Sequence, residues 1–170
     1  MAQEAAVAEI DSREFRNWGG HFATGVTVLT VRVGNTVRGM TANAFCSLSL
    51  HPPLVLVCIQ HGASMHPMFE VTETFGVNIL ASDQKPLAEI FAQHGEHHEP
   101  MAGVPFRDGP LGAPILEGAM GWAQCRVEDR YAGGDHMIVV GRVEEMEIER
   151  PDAAPLLFYA GTYRSTGSVL

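Results

Sequence analysis

Val26-Thr-Val-Leu-Thr-Val-Arg-Val33, then Gly34-Asn35, then Thr36-Val-Arg-Gly-Met-Thr41, is the stretch that decides the fold. Its first part is β-branched and alternates in character, which is the period of a strand. Gly-Asn between two such runs is a hairpin signal, so the chain turns back on itself antiparallel. Working outward, Asp11 or Ser12 can cap a first helix in which Phe15 and Trp18 share a face, and Gly19-Gly20 stops it. Downstream, His51-Pro-Pro53 interrupts the chain before a buried strand, Leu54–Gln60. A short helix follows Ser64, and a strand runs over Phe75–Leu80. Ser82 or Asp83 can cap a further helix whose apolar face is Leu87, Ile90 and Phe91. Gly95 to Gly118 reads as a long loop rich in Gly, Pro and His. Two long strands, Met120–Tyr131 and His136–Glu149, meet at Gly133-Gly134, and Leu156–Tyr159 forms a last strand. The expectation is a mainly β chain with short helices, antiparallel and barrel-like rather than doubly wound.

At 170 residues the chain is the size of one domain, and no repeat, linker or composition shift divides it. Its 46% apolar and 18% charged residues are those of an ordinary globular protein. The longest apolar run, Leu54 to Ile59, is a strand's length and far below the roughly 20 residues that span a bilayer. The first residues, MAQEAAVAEIDS, carry glutamates and no basic region, so a cytoplasmic location is expected, with no membrane partner. A net charge of −9 argues against nucleic acid, whose affinity comes from phosphate neutralisation by Lys and Arg. Cys46, Cys58 and Cys125 are odd in number and form no CxxC, so neither a disulfide framework nor a thiolate metal site is expected. Cys58 and Cys125 lie in apolar runs and read as small core residues.

Chemistry concentrates in Gly39-Met-Thr-Ala-Asn-Ala-Phe-Cys-Ser-Leu-Ser49, where small, hydroxyl and amide residues sit in an otherwise apolar region. Such a stretch can set backbone N–H groups and the Asn43 amide against a flat heteroaromatic ring. It also fits a β-bulge with capping hydroxyls. Ser64 ahead of a helix suits a phosphate, as does any hydroxyl-capped helix N-terminus, and equally suits a plain cap. No GxGxxG lies between a strand and a helix, so a Rossmann dinucleotide fold is not expected. His94-Gly-Glu-His97-His98-Glu99 holds metal-compatible residues without HExxH helical spacing, and no metal site is assigned to it. Glu144-Glu145-Met-Glu147 reads as a solvated strand face.

The order of the segments resembles the flavin reductase-like family, small reductases that supply reduced flavin to two-component monooxygenases. The carrying residues are Phe22-Ala-Thr-Gly-Val-Thr-Val-Leu-Thr30, Gly39-Met-Thr-Ala-Asn-Ala-Phe45, Ser47-Leu-Ser49 and Pro52-Pro-Leu-Val-Leu-Val57. They continue through Phe75-Gly-Val-Asn-Ile-Leu80, Leu87-Ala-Glu-Ile-Phe-Ala92, Gly133-Gly-Asp-His136 and Pro155-Leu-Leu-Phe-Tyr159, so the likeness covers about residues 13 to 164. It implies a Greek-key-like, FMN-binding split β-barrel. It also implies a homodimer, FMN or FAD as the flavin, NADH or NADPH as co-substrate, and a separate oxygenase as partner. By the same likeness Thr41, Ala42, Asn43, Ala44, Ser47 and Leu48 hold the isoalloxazine ring. Cys58, Ile59 and Gln60 line the next wall, Ser64 meets the phosphate, and Phe91 and Ala92 close over the cofactor. Gly134, Asp135 and His136 fall beside the nicotinamide, with His136 the catalytic candidate: an imidazole can bond a carboxamide or pass a proton. Other readings are a pyridoxamine-phosphate-oxidase-like enzyme, which wants more basic residues, and a non-catalytic flavin- or haem-binding module. NADH oxidation with added FMN separates enzyme from module.

Overall fold

The computed structural model describes residues 9–93 and 101–167. The chain opens with α1 (Ser12–Gly20), β1 (Thr24–Gly25), β2 (Thr27–Val33), β3 (Thr36–Ala42), β4 (Phe45–Leu50) and β5 (Pro53–Gln60). There follow α2 (His66–Val71), β6 (Thr74–Ile79), a 3-10 turn (Ser82–Gln84) and α3 (Lys85–Phe91). It closes with β7 (Phe106–Asp108), β8 (Pro114–Leu116), β9 (Gly121–Gly133), β10 (His136–Ile148), β11 (Leu156–Tyr159) and β12 (Thr162–Ser165). Seven strands form one antiparallel sheet in the order β3-β2-β6-β9-β10-β5-β4. Smaller sheets join β1, β11 and β12, and β7 with β8.

The sheet cannot be flat. Seven strands laid side by side would hold their edges about 29 Å apart. Yet the two edge strands, β3 and β4, are consecutive in the chain and joined only by Asn43 and Ala44. That joint spans about 11 Å at most. The sheet therefore curls until its edges meet at this corner, and it stays open where they are not hydrogen-bonded to each other.

Curling gives the sheet an inside and an outside, and the strand period sorts side chains between them. Leu29, Val31, Val57, Ile59, Phe69, Phe75 and Val139 fill the inside. Val26, Val28, Leu80, Ala88, Phe91, Leu116 and Leu156 form a second core on the outer face, beneath α3. β2 is buried on both faces because it serves both cores. Each Val, Leu, Ile or Phe among them contributes roughly 1.5–3 kcal/mol of burial. Cys125 belongs to the inner core, and burial pushes its thiol up to about 12. Among the described residues no helix is long and apolar enough to cross a membrane.

Several local expectations change. Phe45–Leu50 is a full edge strand, with Leu48 the extra residue of a bulge between Ser47 and Ser49. Met65, not Ser64, stands at the N-cap of α2 and makes no side-chain cap. Ser82 and Asp83 lie inside the 3-10 turn, where Gln84 accepts from the Ala81 N–H at 3.0 Å and Asp83 pairs with Arg150. The expected loop over 95–118 contains the β7–β8 hairpin, and its first residues lie outside those described, as does His94 to Glu99. β12 follows β11 through Ala160 and Gly161, both at positive φ, the geometry that a tight two-residue hairpin needs. Helix α1 is capped as read: Asp11 Oδ1 accepts from the N–H groups of Arg13 and Glu14 at 2.9 and 3.1 Å.

Candidate active site

The open seam holds a cleft of about 610 Å³. One wall is β3 from Arg38 to Ala42, continued by the Asn43–Ala44 corner. The other is built on β5. Alternation sends Val57 and Ile59 into the inner core and leaves Cys58 and Gln60 facing outward onto the cleft. Gln60 pairs with His136, which brings the first residue of β10 to the same wall. The loop Gly62–Ser64 forms one rim and the end of α3, from Phe91 to Gln93, forms the opposite one.

Two contacts seat α3 there. Thr41 Oγ1 donates to the Ala88 carbonyl at 2.6 Å. The Phe91 ring lies against Gly39 so closely that a Cβ at that position would sit 2.5 Å from Phe91 Cε1. Gly39, Ala42, Ala44, Gly62, Ala63 and Ala92 make much of the lining side-chain-poor, which suits a flat ring. Asn43 is exposed at the corner, and its amide makes no hydrogen bond among the described residues. It therefore offers two donors and an acceptor to whatever enters.

His136 Nδ1 lies 2.7 Å from Asp135 Oδ1. With the carboxylate as acceptor, Nδ1 carries the hydrogen and Nε2 is the nitrogen left for a ligand. The hydrogen bond from His136 holds the Asp135 carboxyl below its usual range, with the charges of His136 and His61 adding to the effect. Burial pushes the Cys58 thiol up, and neighbouring Cys46 pushes it further. Cys58 is thus a neutral wall, not an activated nucleophile.

Of the residues singled out from sequence, Thr41, Ala42, Asn43, Ala44, Cys58, Gln60, Ser64, Phe91, Ala92 and His136 line the cleft. Ile59 does not: its side chain is in the inner core. Ser47 and Leu48 are exposed on β4, outside the lining. Gly134 and Asp135 form the turn before His136 without lining it. The Thr41 hydroxyl has given its hydrogen to Ala88, and the Ser64 hydroxyl caps no helix. Sequence reading passed over Arg38, Gly39, Met40, Gly62, Ala63 and Gln93 as site residues; the one signal for the first three was their place in or next to the stretch of small, hydroxyl and amide residues. A second depression, of about 480 Å³, lies between Arg32, Thr72, Pro110 and Arg126, but those arginines already pair with Asp108 and Glu144.

Residues 19–167 match the model of the flavin reductase like domain. The chain belongs to that family. It is 43% identical over 161 residues to an NADH-dependent flavin reductase from a Rhodococcus species, covering 92% of this chain and 88% of that one. It is 38% identical over 157 residues to the flavin-dependent monooxygenase reductase subunit HsaB of Mycobacterium tuberculosis, covering 92% and 83%. Among solved structures it is similar to the Streptomyces globisporus NADH:FAD oxidoreductase SgcE6 in complex with NAD and FAD fragments. That likeness has a TM-score of 0.86 and 38% identity, over 94% of this chain and 98% of that one. In this member of the flavin reductase family, small residues, the Asn43 amide and the Asp135-tethered His136 imidazole converge on the seam cleft.

Proposed function

We infer that the chain is an NAD(P)H:flavin oxidoreductase that supplies reduced flavin to a separate oxygenase. The carrying observation is the side-chain-poor cleft with the Asn43 amide at its corner and His136 on its wall. FMN or FAD fits such a site: a planar ring needs a flat slot, and its polar edge needs donors and acceptors that the protein has left unused. Bound flavin supplies the hydride acceptor and the nicotinamide supplies the hydride. The protein's part is position. Asn43 and the backbone of the corner orient the ring, and the small residues of both walls let a second ring approach it. Phe91 and Ala92 restrict water on one side. His136, anchored by Asp135, bonds the carboxamide or passes a proton through Nε2.

A homodimer belongs to the same reading. Leu48 and Leu50 stand 48% and 80% exposed on the free edge strand β4. A second copy that covers this edge would bury them and bring Ser47 and Leu48 toward a flavin. NAD(P)H as co-substrate fits a cytoplasmic enzyme.

Purified protein titrated with FMN, FAD and riboflavin, then given NADH or NADPH, tests the reading. Flavin-dependent loss of nicotinamide absorbance is expected. Flavin binding without that loss would mean a binding module, and no binding at all would refute the site. Light scattering that shows a monomer with flavin bound would remove the dimer.

A further inference from the structure

Arg38 is the one permanently charged residue that lines the cleft among the described residues, and no role described so far uses it. It is half-buried on β3, opposite Val31, a residue of the inner core. Among the described residues its guanidinium makes a single long contact, from Nη1 to the carbonyl of Val37 at 3.4 Å. The chain carries 20 acidic residues against 11 basic ones, so carboxylates are in excess. Arg32, Arg107, Arg126, Arg142 and Arg150 have each found one. Among the described residues Arg38 has not. A guanidinium facing a cleft with most of its N–H groups unspent selects an anion, and its planar fork matches phosphate oxygens.

Position narrows the choice. Asn43 lies five positions beyond Arg38, about 17 Å along the wall. One ligand group cannot touch both, but one ligand can place a ring at the corner and an anion at the far end. The helix-cap alternative at Ser64 has gone, because α2 starts at His66 and is only six residues long.

We propose that Arg38 is the cleft's ligand for a phosphomonoester, the group shared by the ribityl phosphate of FMN and the additional ribose phosphate of NADPH. The proposal rests on the flavin reductase reading and adds the residue that discriminates between phosphorylated and unphosphorylated forms of a ligand.

The test compares ligands that differ by that phosphate alone. Dissociation constants for FMN and riboflavin come from quenching of flavin fluorescence. Those for NADPH and NADH come from nicotinamide fluorescence without flavin. Arg38→Met keeps the apolar stem and removes the charge. Either FMN weakens roughly ten- to a hundredfold while riboflavin stays unchanged, or NADPH does so while NADH stays unchanged. The first result assigns the flavin phosphate and the second the dinucleotide phosphate. Arg38→Lys recovers part of the loss. In the wild type, raising salt weakens the phosphorylated member of the affected pair more than its partner, a check that needs no variant. Phosphorylated and unphosphorylated ligands falling together, or neither ratio moving more than twofold, overturns the proposal and leaves the reductase reading intact. A wild type that binds no flavin and oxidises no NAD(P)H overturns the reductase reading and the arginine's role with it.

Discussion

Gly39→Ala probes whether the contact between β3 and α3 sets the width of the cleft. The added Cβ would lie 2.5 Å from Phe91 Cε1, 2.9 Å from Cδ1 and 3.3 Å from Cζ. Carbon atoms in contact sit about 3.5–4 Å apart, so the ring has to retreat by about 1 Å or more. It has little room, being 3% exposed and packed in the outer core with Val28, Ala88 and Leu116. Overpacking of this kind costs about 1–3 kcal/mol, which for a chain of this size lowers the melting temperature by a few degrees per kcal/mol. Because Phe91 and Ala92 also line the cleft, flavin affinity of the folded protein falls as well. Gly141→Ala is the matched control. Its Cβ would lie 2.5 Å from Phe75 Cζ and 3.0 Å from Cys125 Cβ, in the inner core and away from the cleft lining. It is expected to lose comparable stability with flavin affinity intact. Denaturation curves and flavin titrations on both variants make the comparison. Phe91→Leu combined with Gly39→Ala is expected to show coupling above about 0.5 kcal/mol, since the two groups touch. Wild-type stability and affinity in Gly39→Ala would refute the seating of α3 on β3 and its role in shaping the cleft.

Asn43→Leu is expected to raise the flavin dissociation constant by the equivalent of about 1–3 kcal/mol while leaving the melting temperature nearly unchanged, because the residue is exposed and its amide is unpaired within the described residues. His136→Ala is expected to slow flavin reduction with little change in flavin affinity. A raised dinucleotide KM points to carboxamide binding and a lost pH limb to proton transfer, whereas stopped-flow rates at the wild-type level across neutral pH would leave it a structural strand-end histidine. At Asp83, hydrogen bonding from Arg150 holds the carboxyl below its ordinary range. The ion pair's contribution is therefore present above the unfolded carboxylate's value of about 4 and is lost as pH falls through the lower folded value. The melting-temperature gap between wild type and Asp83→Asn is expected to close in strong acid, and a gap that widens there would reverse the assignment.

The fold was legible where a strand has two contrasting faces. β2 and β3 could be read from alternation and the Gly34-Asn35 turn, and β9 and β10 from their length and Gly133-Gly134. β4 could not, because an edge strand with exposed Cys46, Ser47, Leu48 and Leu50 shows no apolar face to read. β7 and β8, three residues each, are shorter than any periodicity can register. The site divides the same way. Its corner, Thr41 to Ala44, was visible as local composition, whereas Cys58 and Gln60 came only with the family resemblance, since an apolar run by itself reads Cys58 as a core residue. Gly62, Ala63 and Gln93 reach the cleft only because the chain folds back on it, and nothing in their own neighbourhoods marks them.

The location of the cleft follows from the two-residue joint. Curling the sheet brings β3 and β4 together at Asn43–Ala44 without zipping them, so β3 keeps a free edge. A free edge presents unpaired N–H and C=O groups and is a liability that proteins usually cover or charge. Here β5 takes one of the corner's acceptors, Cys58 N–H donating to the Ala44 carbonyl at 3.1 Å, and α3 closes over the outer face of β3. Between them an edge remains whose backbone groups repeat along the strand and need a partner in the plane of the pleat. The polar edge of a flat heterocycle is such a partner. On the proposed reading, Asn43 and Arg38 then fix which end of the ligand lies at the corner.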